Sequence, residues 1–194
     1  MRDIRVSSRV TARIFGLCAA LLSLGPMVSR AQTANAPDPL QPLHFLLGKW
    51  IGAGKSDSGA IQGTTTFTEE LQGHVLIRRD SSTFPHLESN TLPYEQLMVI
   101  APDPSGSGNF QANYWDSTGH VIRYVGSSSV IGGSREVQFL SPSSPNLPRF
   151  RLTYTEVSPN RLHTVFEIEA PDSTFWHTIA DGFSLRLGTV KSAD

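Results

Sequence analysis

The chain has 194 residues, with 16 basic and 17 acidic side chains, a formal net charge of −1 and one cysteine. This length predicts a single domain with a sizeable hydrophobic core. The charge balance argues against a nucleic-acid partner, which requires a basic surface, and one cysteine excludes an intrachain disulfide.

Residues 1–31 carry the ordered features of an export signal. Four arginines lie within the first 13 residues, the apolar run 14–28 is too short and interrupted to span a bilayer, and Ala31 precedes the expected cleavage site. Removal of this segment would leave 11 basic and 16 acidic residues and no cysteine. We therefore expect an exported protein, periplasmic or extracellular, without an integral membrane segment in its mature chain.

Residues 32–42 are rich in proline, alanine and small polar residues and predict a flexible leader. A short helical turn is expected at 43–47, with Phe45 and Leu46 facing inward. From residue 48 onward, strand candidates recur at the spacing typical of β-sandwiches and barrels. The candidate strands are 48–55, 62–71, 73–84, 94–101, 109–116, 120–129, 134–140, 148–157, 160–170 and 174–187.

Explicit turn sequences separate the candidate strands. The segments 103–106 and 116–119 each place Asp first and Gly fourth, as a type I turn prefers. Consecutive hairpins indicate an up-and-down meander, and about ten strands favour closure because a closed sheet has no exposed edges. The predicted fold is therefore all-β: a single antiparallel up-and-down barrel over residues 43–188, with a short N-terminal helical turn and a tail at 189–194.

Alternation along the strands predicts one buried and one wet face. Phe150, Leu152 and Tyr154 share one face of their strand, and Arg149 and Arg151 share the other. This pattern fits a packed core and a ligand cavity equally well.

The segment 48–54 is the most informative part of the chain. Trp50 is flanked by Gly48 and Gly52, which suits the first strand of a small barrel, where glycines permit sharp bending and the indole closes one end. This segment resembles the signature of nitrobindin-like barrels, which belong to the calycin-like superfamily together with lipocalins and fatty-acid-binding proteins.

Segments 98–119, 150–154 and 174–187 resemble an uncharacterised family of exported bacterial lipocalin-like domains. Together, the resemblances cover most of residues 43–187 and imply a barrel that binds a small hydrophobic or amphipathic molecule. The nitrobindin resemblance implies ferric haem as an alternative cofactor, with His177 as its ligand. The residues that follow His177 depart from the haem-binding pattern.

Five side chains are candidates for contact with a ligand. These candidates are Trp50, Arg78, Tyr114, Arg123 and Tyr124. Arg123 is expected to face inward because Val121 and Val125 share its face, and the resemblance implies that such a buried arginine binds a ligand carboxylate. The competing interpretation places the arginines on the outer surface and treats the aromatic residues as ordinary packing.

Motifs of known catalytic or metal chemistry are missing from the sequence. It contains no His-Glu-x-x-His zinc motif, no Gly-x-Ser-x-Gly elbow and no phosphate-binding glycine loop. We therefore expect a binding protein without a cofactor and not an enzyme. Three alternatives stay open: a haem protein, a hydrolase or isomerase, and a structural envelope-associated domain without a ligand.

Overall fold

The computed structural model describes residues 38–84 and 92–188. The expected export signal, the leader up to residue 37 and the tail at 189–194 lie outside the described residues. A 3-10 helix at Gln41–Leu46 precedes ten strands. These are β1 Gly48–Ser56, β2 Gly59–Glu70, β3 Val75–Thr83, β4 Tyr94–Pro102, β5 Phe110–Asp116, β6 Val121–Ile131, β7 Ser134–Leu140, β8 Arg149–Ser158, β9 Arg161–Glu169 and β10 Trp176–Arg186.

The ten strands form one closed antiparallel barrel. Each strand pairs with its neighbours in sequence, and β1 also pairs with β10, so that Trp50 lies opposite Arg186. The register shifts in β10, between Thr178 and Ala180, and in β8. This architecture confirms the predicted fold class, and each observed strand begins and ends within a few residues of its candidate.

The 3-10 helix covers one end of the barrel. It begins earlier than expected because Pro42 occupies its first turn, where the missing N–H costs nothing. Trp50 is buried directly beside it, and the guanidinium of Arg186 lies 4.1 Å from the indole centroid. Arg186 also donates hydrogen bonds to the carbonyl oxygens of Phe45 and Leu47. Trp50 therefore lies at the closed end, as the sequence predicted.

Large apolar side chains at alternate strand positions fill much of the barrel. The fully buried ones include Phe67, Leu76, Met98, Ile100, Phe110, Val137, Phe139 and Leu162. Within the described ranges, no helix combines the length and the hydropathy that a membrane span requires.

Candidate functional site

A cavity of about 160 Å³ opens on the inner side of β1, β2 and β10. Gly52 and Gly54 follow Trp50 at alternate positions and therefore share its inward face. Their register partners in β2 and β10 include Gly63 and Gly182, which also line the cavity. No side chain projects from these four positions, so this part of the interior stays open.

Close approach of β1 and β10 requires glycine at two of these positions. A Cβ atom on Gly54 would overlap the carbonyl oxygen of Asp181, and a Cβ atom on Gly182 would lie 2.9 Å from the carbonyl oxygen of Ala53. The glycines therefore allow β1 and β10 to pair tightly where the barrel closes. Gly52 and Gly54 belong to the segment that the sequence associated with barrel bending, and they form part of one cavity wall.

The lining of the cavity also includes a buried ion pair between Arg78 and Asp80. Nε of Arg78 lies 2.5 Å from Oδ2 of Asp80, and the two side chains are 9% and 6% exposed. Nη2 of Arg78 donates a 2.8 Å hydrogen bond to Oε1 of Gln96, and the Thr65 hydroxyl donates to Oδ1 of Asp80. Nε of Arg78 and Oδ2 of Asp80 meet as an ion pair without hydrogen-bond geometry, and no described residue forms a hydrogen bond to either atom.

Electrostatics keeps Arg78 charged in spite of its burial. Desolvation is the largest influence on the pKa of Arg78 and lowers it, but attraction to Asp80, followed by smaller contributions from Tyr154 and Tyr114, raises the pKa above its ordinary value. The guanidinium is therefore a cation, and its charge is balanced by a carboxylate at contact distance.

Tyr154 lines the same cavity. The residue is 2% exposed, its ring packs edge-on against Phe67, and the Arg78 guanidinium lies 5.8 Å from the ring centroid. Its hydroxyl has no hydrogen-bond partner among the residues that the structure describes. Burial raises the pKa of Tyr154, so the hydroxyl keeps its proton and is a donor. A buried polar group without a partner costs about 1–3 kcal/mol.

A second cluster of hydrogen-bonded polar side chains surrounds Tyr114. The hydroxyls of Tyr94 and Tyr114 lie 2.6 and 3.2 Å from Oδ2 of Asp116, and Oδ1 of the same carboxylate accepts hydrogen bonds from the backbone N–H groups of Thr118 and His120. Desolvation would raise the pKa of Asp116, but the hydrogen bonds from Thr118 and Tyr94 hold it well below its usual range. The Tyr114 hydroxyl therefore takes part in a hydrogen-bond network with other residues of the protein.

The other aromatic candidates also lie away from the cavity. Tyr124 is buried and packs edge-on against Phe139, with ring centroids 6.4 Å apart. Among the predicted ligand-binding residues, Arg78 lines the cavity. Trp50, Tyr114 and Tyr124 do not line it.

The expectation that Arg123 faces inward is wrong. Arg123 is exposed, and so are its neighbours on that face, Val121 and Val125, at 61% and 48%. The inward face of β6 carries Tyr124 and Gly126 instead. The two valines made the outer face look apolar, and this reversed the assignment.

His177 lies at the rim of the barrel end that is remote from the 3-10 helix. Its side chain is 67% exposed, and its Nε2 lies 3.1 Å from Oδ2 of Asp57 in the β1–β2 turn. The described cavity does not include His177, and none of the five described histidines is buried. The residues around His177 therefore do not fit the haem site that the resemblance implied.

One group of described residues has donors suited to a metal ion. Nε2 of His44 lies 2.9 Å from a carboxylate oxygen of Asp38 and 2.9 Å from one of Glu69. Contact of one imidazole nitrogen with two partly exposed acidic side chains accounts for the same distances without a metal ion. Spacing in sequence gave no signal for this group, since Glu69 comes from β2 and the other two residues come from the N-terminal turn.

No protein-family model matches the chain, and neither does any curated protein. Among solved structures, Rv2717c from M. tuberculosis is similar to 79% of this chain and 99% of its own, with a TM-score of 0.59 and 17% sequence identity.

Two designed barrels are also similar. A de novo designed fluorescence-activating β-barrel matches 78% of this chain and 100% of its own, with a TM-score of 0.40 and 16% identity. The second, EF1p2_mFAP2b bound to DFHBI, matches 75% of this chain and 97% of its own, with a TM-score of 0.34 and 13% identity. At these values only the likeness to Rv2717c carries weight, and it concerns the barrel fold alone.

Proposed function

We propose that this protein is an exported calycin-like barrel that binds a small molecule in its interior cavity. Export rests on the basic, apolar and small-residue order of residues 1–31, and the calycin-like assignment rests on the Gly-Trp-Gly segment in β1. The observation that carries the binding proposal is Tyr154, which lines the cavity and whose buried hydroxyl has no described partner. A ligand that accepts its hydrogen bond removes this cost.

The dimensions of the cavity limit the ligand to a compact molecule. Its volume of about 160 Å³ is close to that of an engineered apolar cavity of about 150 Å³ that binds benzene, and it lies below the roughly 300–1,000 Å³ of drug-sized pockets. A ligand of about one ring therefore fits within this volume, whereas the chain of a long fatty acid would extend beyond it.

Binding in this cavity combines apolar contact with a few oriented polar groups. The glycine wall and Ile61 offer close contact to an apolar body, and Arg78 and Tyr154 offer hydrogen-bond donors on the other side. We propose binding without catalysis, because the charges of Arg78 and Asp80 satisfy each other and leave neither group available as an acid or a base.

Native mass spectrometry of the exported protein tests this proposal. The wild-type barrel is expected to retain a small molecule from its source, or to acquire a compact one-ring compound from a test panel. Tyr154→Phe should reduce the retained fraction, because it deletes the hydroxyl and leaves the ring in place. Arg123→Leu, on the outer face, is the matched control and should retain as much as the wild type. Absence of any bound compound in both the native and the panel experiments would contradict the proposal.

A further inference from the structure

We infer that the cavity selects a neutral ligand with a carbonyl-type hydrogen-bond acceptor, such as an amide, ketone or aldehyde, and discriminates against a carboxylate. This inference rests on the proposed binding function and specifies the chemistry of the same site. It reverses the role expected from a buried arginine, which is to attract an anionic ligand group.

The first argument is the charge that surrounds the cavity. Arg78 and Asp80 are 2.5 Å apart and almost fully buried, so the arginine already has its counter-ion. Asp181 also lines the cavity, but its side chain is 53% exposed and its carboxylate contacts His163 at 2.7 Å. A bound carboxylate would therefore place a second negative charge beside Asp80 against a single buried cation, and such like charges in a desolvated site are costly.

The second argument is the number and type of hydrogen-bonding groups that lack partners. The hydroxyl of Tyr154 is a donor that meets no acceptor within residues 38–84 and 92–188. The contacts of Arg78 with Asp80 and Gln96 use Nε and Nη2, so Nη1 is the second donor considered. The Tyr154 hydroxyl remains a donor because burial disfavours its ionised form. A carbonyl oxygen has two lone pairs and carries no net charge, so it can satisfy both donors without disturbing the ion pair.

The third argument is the rest of the cavity wall. Ile61, Ala180 and the inward-facing glycines of β1 contribute apolar surface and backbone to the lining. The other side chains there include uncharged polar groups, among them Thr65, Thr164 and Ser184. A compact ligand with an apolar ring and one hydrogen-bond acceptor at its end matches a lining that combines apolar surface with two donors. Ordered water is the competing occupant, because a polar cavity of this size can hold water that satisfies the same donors.

A matched pair of probes separates these possibilities. Benzamide and benzoate share a ring and nearly the same size, but only benzoate is an anion at neutral pH. We expect benzamide to bind the wild-type protein about tenfold or more tightly than benzoate, measured by chemical-shift titration of the labelled protein. Binding of benzoate with equal or greater affinity would overturn the inference and leave the binding function intact.

Two variants assign the discrimination to named groups. Asp80→Asn removes the competing charge and keeps Arg78, so it should reverse the preference in favour of benzoate. Tyr154→Phe should weaken benzamide binding several-fold and provides an independent readout if Asp80→Asn does not fold, which circular dichroism will show. Unchanged benzamide affinity in a folded Tyr154→Phe protein would overturn the inference.

The failure of the underlying function has a different signature. If neither probe shifts any resonance of the wild-type protein, and no other neutral one-ring compound does, the cavity holds water only and both proposals fall. Arg123→Leu is the control for all titrations, because its side chain lies on the outer face of β6 and should leave both affinities unchanged.

Discussion

The indole Nε1 of Trp50 donates a 2.7 Å hydrogen bond to the carbonyl oxygen of Leu46. This bond ties the first strand to the last turn of the 3-10 helix and satisfies a buried donor and a buried acceptor together. The guanidinium of Arg186 covers the indole at 4.1 Å, so that β10 joins the same contact. Trp50 therefore connects three elements at the closed end, namely its own strand β1, the 3-10 helix and β10.

Trp50→Ala is expected to lower the free energy of unfolding by about 3–5 kcal/mol, because it leaves a cavity at the closed end and an unpaired Leu46 carbonyl. Urea denaturation followed by circular dichroism measures this loss. Trp115→Ala is the matched control, since Trp115 is 40% exposed, and it should cost about 1 kcal/mol or less. Equal losses in the two variants would show that Trp50 has no special structural role.

The four tyrosines should not ionise in the folded protein near pH 10. Burial is the first cause that raises the pKa of Tyr94, Tyr114, Tyr124 and Tyr154 above the ordinary value of 10.0. Their stabilising contribution is complete below pH 10 and is lost as pH rises above it towards the raised values, because the unfolded chain then releases the protons. Ultraviolet absorbance should show the tyrosinate signal appearing together with the loss of circular dichroism. A tyrosinate signal of ordinary pKa in a folded barrel would contradict this expectation.

Removal of Arg78 alone should be far more damaging than removal of the whole ion pair. Arg78→Met leaves Asp80 buried without its partner and should cost about 3–5 kcal/mol. The double variant with Asp80→Leu should recover most of this loss in thermal or urea unfolding.

Arg151→Met is the control for that experiment. Arg151 pairs with Glu167 at 2.6 Å, but its side chain is 26% exposed, so water screens the charge and the loss should be about 1 kcal/mol or less. Equal costs for Arg78→Met and Arg151→Met would show that burial does not govern these pairs.

Arg123→Leu should change the stability by no more than about 0.5 kcal/mol, because the side chain lies on the exposed face of β6. It should instead extend the exposed apolar surface formed by Val121 and Val125 and increase self-association. Size-exclusion chromatography at several protein concentrations checks this. A large loss of stability without association would place the residue in the core.

The strand order was predictable because the turn residues act locally. Asp116 begins a turn, and its Oδ1 accepts a hydrogen bond from the backbone N–H of Thr118, which is the interaction that favours Asp at that position. Gly52 and Gly54 were informative for a different reason, since atoms of the neighbouring strand β10 leave no room for a Cβ atom at either position. Closure between β1 and β10 followed from the number of hairpins and the cost of free edges.

The cavity was less predictable because its polar groups come from strands far apart in sequence. Arg78 and Asp80 share the inward face of β3, so the rule that apolar residues face inward gives no signal there. Tyr154, on β8, was expected on an apolar face beside Leu152, and only the closed barrel brings this residue to the cavity and its ring to within 5.8 Å of the Arg78 guanidinium. The same rule led to the wrong prediction that Arg123 faces inward, because its neighbours Val121 and Val125 are apolar but exposed.

Closure between the first and last strands makes the chain ends interdependent. Arg186 bonds to the Leu47 carbonyl across 139 residues of sequence, so the barrel cannot be completed before the last strand has been synthesised. Non-local pairing of this kind slows folding, and a chain that ends before β10 would leave β1 and β9 as open edges prone to aggregation. Shortening from the C-terminus should therefore abolish the fold abruptly once it reaches β10.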